Sequence, residues 1–121
     1  MSTPLEDAFL PEDGIIVTQS LTVSDVIRSA DYYSRVLGGA AVRNGQPSIV
    51  RLANTWLILN VGGGPTDDKP AVTLRPPADS TLQSGFLNIR TGDIASLYAR
   101  WRARGAEFLT EPKDHPAEIR C

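Results

Sequence analysis

Apolar and polar positions along this chain change period several times, and each change marks an element. From Ile15 to Val23 the composition is β-branched and apolar. Within it Leu21 and Val23 alternate with Ser20 and Thr22, the period-two signature of a half-buried strand. Ser24-Asp25 then supplies N-cap chemistry. Ile27, Ala30, Tyr33 and Leu37 recur at helical spacing and predict a helix that runs to Leu37. Gly38-Gly39 stops it, because glycine adopts the left-handed C-cap conformation at little cost. Three short strands are predicted next, Ala41–Arg43, Ser48–Ala53 and Thr55–Val61. Asn44-Gly45 and Ala53-Asn54 turn the chain between them.

The pattern then breaks. Between Gly62 and Ser84 three consecutive glycines are followed by Pro65, Pro70, Pro76 and Pro77, the composition of a connector with a short strand at Ala71–Leu74. Connectors of this length inside a small domain are often functional flaps. Beyond it the opening pattern recurs. Gly85–Arg90 reads as a strand in which Leu87 and Ile89 alternate with Phe86, Asn88 and Arg90. Gly92-Asp93 caps a second helix with an apolar stripe of Ile94, Leu97 and Trp101, and Gly105 ends it. Ala106–Leu109 is predicted as a strand, Glu111–Pro116 as a loop, and Ala117–Cys121 as the start of another strand. Placing Asp25 on Asp93 brings both halves into register at a spacing of about 68 residues, which points to an internal duplication.

Composition narrows the class. The 121 residues suit one domain of α+β type, 41% of them hydrophobic and 21% charged, close to globular averages. A net charge of -2 leaves no concentrated basic face for nucleic acid, and no apolar run reaches the ~20 residues a membrane span needs. Residues 1–14, with Pro4, Pro11, Gly14 and four carboxylates, read as an acidic arm and not as a signal peptide. The lone cysteine, Cys121, excludes an internal disulfide framework. A cytoplasmic globular protein is expected. Its domain spans 15–121, with module one at 15–61, the connector at 62–84 and module two at 85–121.

The stretches Leu21–Asp25, Ser29–Tyr33 and Val36–Gly38 resemble the first module of the vicinal oxygen chelate superfamily. This superfamily includes glyoxalase I, extradiol dioxygenases and fosfomycin- and bleomycin-resistance proteins. Asp93, Arg104–Phe108 and Glu111–Asp114 are similar to its second module. The resemblance covers Ile15 to the end. It implies two consecutive βαβββ modules curling into a partly open barrel, with a small-molecule cavity between their strands and a homodimer as the usual assembly. Relative to that pattern the last strand is missing from this chain. An uncovered strand edge invites pairing, and a dimer partner is one candidate to cover it.

Metal-dependent members hold one divalent ion with His, Gln or Glu side chains on the cavity face. The resemblance carries those positions onto Thr18, Ile58 and Phe86, with a further ligand on the last strand. Isoleucine and phenylalanine have no donor atom and a neutral threonine hydroxyl is a poor one, so neither a metal nor any other cofactor is expected. A β-bulge could still turn Gln19 inward. His115, the single histidine, sits before Pro116 in a polar loop and reads as solvated. Glu118 reads as an exposed edge charge, and Arg100, Arg102 and Arg104 as a solvated helix face beside Trp101.

Alternation supplies a ligand-binding set instead. Thr18, Ser20 and Thr22 share one face of the first strand, Trp56, Ile58 and Asn60 one face of the fourth, and Phe86, Asn88 and Arg90 one face of module two's opening strand. Together they form an apolar and aromatic cup with a few hydroxyls, amides and a guanidinium, the mixture small-molecule sites show. The same residues could equally pack against one another as an infilled core. Arg90 is either an anchor for a carboxylate or phosphate or a solvated charge. Gly62-Gly63-Gly64 is not followed by Gly-Lys-Ser/Thr and reads as a connector, not a phosphate loop. The expected function is metal-free binding of a small molecule, to sequester or carry it. The alternative is an enzyme: a metal-dependent lyase or dioxygenase, or a metal-free isomerase.

Overall fold

The computed structural model describes residues 14–83 and 85–121. The acidic arm expected over residues 1–14 therefore lies, apart from Gly14, outside the described residues. The chain divides into two compact units, Met1–Leu82 and Gln83–Cys121, and each is described by itself.

In the first unit β1 (Gln19–Thr22) leads to α1 (Val26–Asp31), which widens into a π-helical turn at Tyr32–Val36. Strands β2 (Ala40–Arg43), β3 (Ser48–Leu52) and β4 (Thr55–Asn60) follow. The helix starts where Asp25 accepts the Arg28 N–H at 3.0 Å, satisfying one of the orphan donors of its first turn. Where the helix widens, the Ser34 hydroxyl donates to the Ala30 carbonyl at 2.7 Å, a side-chain bond that competes with the helical ladder. Gly38 then takes φ +85°. Gly39 meets the sheet so closely that a Cβ there would lie 2.7 Å from Val50 Cγ1.

The sheet order is β1-β4-β3-β2. Strand β1 runs parallel to β4 and the other pairs are antiparallel, so this unit is a βαβββ module. Cross-strand partners point to one side. Val50 faces Leu57 and Ser48 faces Leu59, and Val50, Leu57 and Leu59 are completely buried. Val26, Ala30 and Val36 from the helical segment are buried with them. Each buried valine or leucine side chain contributes about 1.5–3 kcal/mol. The buried Ser48 hydroxyl donates to the Gly45 carbonyl at 2.7 Å and accepts the Gly45 N–H at 3.0 Å, which closes the β2–β3 turn. Ala53 turns the β3–β4 hairpin at φ 51°.

In the connector the predicted strand at Ala71–Leu74 reduces to a single bridge, in which Gly63 and Leu74 exchange both backbone hydrogen bonds at 2.9 and 3.0 Å. Gly62 must be glycine here. Its φ is +83°, and a Cβ would collide with the Leu74 carbonyl and the Thr22 methyl.

The second unit contains α2 (Ile94–Ala103) and a hairpin of β5 (Lys113–His115) and β6 (Glu118–Arg120). Asp93 caps α2 by accepting the Ser96 N–H at 3.1 Å, the same spacing that Asp25 uses in the first unit. Three expectations are corrected. Gly85–Arg90 is not a strand, because among the described residues its backbone has no hydrogen-bonded neighbour. Ala106–Leu109 is not paired either, and the loop expected over Glu111–Pro116 supplies β5. Alternation marks which side chains could share a face, but a strand exists only where a second backbone satisfies its N–H and C=O groups. The structure shows a four-stranded sheet and a two-stranded hairpin, with no closed barrel among the described residues. No described helix is long and apolar enough to cross a membrane.

Two outcomes are expected. Leu59→Ala should cost about 2–5 kcal/mol by urea denaturation, whereas Ile27→Ala, on a side chain 81% exposed, should cost less than about 1 kcal/mol. Burial, reinforced by the neighbouring Tyr32 hydroxyl, raises the Tyr33 phenol above its ordinary value of 10.0. A folded-state value above the unfolded one favours the neutral phenol, so the stabilisation is complete below pH 10 and is lost as pH rises through the folded value. Urea midpoints should fall above pH 10, and less steeply in Tyr33→Phe.

Candidate functional site

On β1 and β4 the register pairs Ser20 with Ile58 and Thr22 with Asn60. Trp56, Ile58 and Asn60 alternate with the buried Leu57 and Leu59, so they occupy the sheet face away from the helix together with Ser20 and Thr22. Alternation continued one step places Thr18 with them. Gln19 pairs with Leu57 on the opposite face, and no bulge interrupts β1 to turn it round. Trp56 is buried, and the guanidinium of its cross-strand neighbour Arg51 lies 5.4 Å from the ring centroid, within cation–π range. Thr18, Thr22, Ile58 and Asn60 are half-buried and Ser20 is exposed. The Asn60 side-chain oxygen accepts the Gly62 N–H at 2.7 Å and the Gln46 amide at 3.2 Å. Its acceptor holds the end of β4.

In the second unit Phe86, Asn88 and Arg90 line a cleft of about 700 Å³. The same cleft is lined by α2 through Ile94, Leu97 and Trp101 and by Ala117–Cys121. Phe86 is 80% exposed. The Arg90 guanidinium stands 3.6 Å from a Glu118 carboxylate oxygen, and the other Glu118 oxygen pairs with Arg120 at 3.2 Å. Arg90 and Glu118 both line the cleft and pair with one another, an arrangement the sequence reading missed. A carboxylate or phosphate approaching Arg90 must displace or share Glu118.

Other candidates lie elsewhere. His115 is half-buried at the end of β5, opposite Glu118 in the hairpin register, and is not among the cleft-lining residues. Arg102 is not simply solvated, because it donates to the Tyr98 hydroxyl at 3.3 Å and lies over that ring. Tyr98 in turn packs edge-on against Phe108, with centroids 4.7 Å apart. The sequence reading did not name Tyr98 and Phe108, though both line the cleft. Among the described residues no cluster of three His, Cys, Asp or Glu side chains has the proximity to hold a metal. The positions that the superfamily pattern assigns to chelation carry a hydroxyl on Thr18, a hydrocarbon on Ile58 and a phenyl ring on Phe86, a donor set that does not fit a divalent ion.

The first unit thus defines the class, a βαβββ module with a sheet face free of the helix. The family model of the Glyoxalase/Bleomycin resistance protein/Dioxygenase superfamily matches residues 15–120, and the chain belongs to this superfamily. The fold is similar to a crystal structure of a glyoxalase/bleomycin resistance protein/dioxygenase from Nocardioides, with a TM-score of 0.59 and 22% identity. The match covers 92% of this chain and 76% of that one. No curated protein matches the chain.

The Arg90 side chain is 75% exposed and screened by solvent, although Glu118 is only 35% exposed, so Glu118→Gln should change stability by less than about 1 kcal/mol in urea. A double-mutant cycle with Arg90→Ala checks that the coupling is of this size.

Proposed function

We propose that this chain is a small-molecule-binding member of its superfamily that works without a bound metal and sequesters or carries an anionic ligand. The observation that carries the reading is the chemistry of the sheet face. Thr18 and Ile58 stand where the superfamily pattern places chelating side chains, and neither they nor Phe86 can grip a cation. A face that has exchanged donors for apolar and aromatic groups is suited to enclosing an organic ligand. Thr18, Ser20, Thr22, Trp56, Ile58 and Asn60 in the first unit, and Phe86, Asn88 and Arg90 in the second, supply the proposed contacts. Arg90 selects the charge. Its planar fork matches a carboxylate or phosphate, and Asn88 adds an amide beside it.

Elemental analysis of the purified full chain should find far less than one divalent ion per chain. Thermal shift with benzoate and with inorganic phosphate should raise Tm, since a ligand at 100 times its Kd adds about 2.7 kcal/mol. Arg90→Ala should abolish that shift and leave the unliganded Tm within a few degrees. A tightly held ion near one per chain would overturn the proposal in favour of a metal-dependent lyase or dioxygenase. Indifference of Tm to every anion would remove the role given to Arg90.

A further inference from the structure

We infer, on the footing of the small-molecule reading, that Arg43 and Arg51 of the first unit clamp a second acidic group of the ligand, whose body is a flat aromatic ring. Both arginines owe their place to strand register. Strand β3 sets Arg51 opposite Trp56 and Ile49 opposite Ile58, so Arg51 and Ile49 share the sheet face away from the helix. In β2 an unbroken ladder would set Val42 opposite Ile49 and turn Arg43 to the buried side beside Ser48. The pairing instead shifts between Ala41 and Arg43, and Arg43 stands opposite Ile49. Bulges re-aim side chains in this way. Arg43 and Arg51 are then diagonal neighbours across β2 and β3, about 7–8 Å apart at the backbone and within reach of each other's long side chains.

Charge gives the pair its use. The register partners on this face, Ala40, Ser20, Thr22, Ile58 and Asn60, include no acid. Among the described residues neither arginine forms an ion pair, whereas Arg35 faces Asp31 and Arg90 faces Glu118. Both are exposed, so an arriving anion has no resident carboxylate to displace. Two guanidiniums held close without a counter-charge repel one another. A carboxylate between them turns that repulsion into two charge-assisted contacts. Trp56 is a positioning residue for Arg51: its buried ring has the guanidinium 5.4 Å from its centroid, which restrains the cation before a ligand arrives. The ligand's body follows from the surface beside the clamp. Ile49 and Ile58 continue the cross-strand row that starts at Arg43, and this apolar row suits a hydrocarbon. A rigid ring also presents its acids without the rotamer entropy that a flexible chain loses on binding.

Isothermal titration of the full chain with isophthalate, benzoate and glutarate tests the clamp. Isophthalate should bind about tenfold or more tightly than benzoate, and glutarate no better than benzoate. Arg43→Gln and Arg51→Gln should each bring isophthalate down to the benzoate level while leaving benzoate affinity, circular dichroism and the unliganded Tm unchanged. Arg51→Lys, which keeps the charge and loses the planar fork, should retain only part of the preference. Equal affinity for isophthalate and benzoate in the parent chain would overturn the clamp alone, as would a preference that survives both glutamine variants. Glutarate matching isophthalate would overturn the aromatic body. A chain that binds none of the three would sink the small-molecule reading itself, and the clamp with it.

Discussion

The first unit depends on one packed layer, the row Val50, Leu57 and Leu59 pressed against α1. These side chains lie on two neighbouring strands whose register brings Val50 beside Leu57, so a one-residue slip would turn the whole row toward the other face. Burying that row also decides the opposite face, because alternate residues have no choice but to point away from it. Trp56, Ile58 and Asn60 are presented together as a consequence of how Leu57 and Leu59 are buried. Gly39 allows the helix end to approach the sheet where any side chain would strike Val50.

The second unit repeats the capped helix of the first but not the paired strand that precedes it. Asp93 caps α2 as Asp25 caps α1, but no residue of α2 is buried. The difference lies in what the helix covers. Helix α1 packs on a four-stranded sheet, whereas α2 lines a cleft together with an unpaired segment and β6. Phe86, Ile89 and Ile119 therefore stay exposed, and Arg90 and Glu118 form an ion pair at 3.6 Å. An apolar surface of this kind marks an interaction site more often than an idle one.

Much of this was readable from residue order. The Asp25 cap, the glycine stop and the strands β2, β3 and β4 appear within a residue or two of their expected bounds, whereas β1 begins at Gln19, four residues after Ile15. Those signals are local, carried by period, capping oxygens and turn residues. The face shared by Ser20, Thr22, Trp56, Ile58 and Asn60 was also legible, since it needs only alternation and a correct choice of which row is buried. The strand expected at Gly85–Arg90 had equally good alternation and did not form. The Arg90–Glu118 pair, the Tyr98–Phe108 contact and the use of the Asn60 oxygen to hold Gly62 were invisible, because each joins groups whose proximity depends on a turn or on packing.

By itself, the order of amino acids determined the period of each element and the two aspartate caps, and it pointed to the duplication. These are properties of single residues and near neighbours. Only the tertiary structure decided which strands exist, because a strand is a relation between two backbones. It also decided that Arg90 faces a carboxylate. Long-range pairing satisfies or strands the polar backbone, and no local pattern records which.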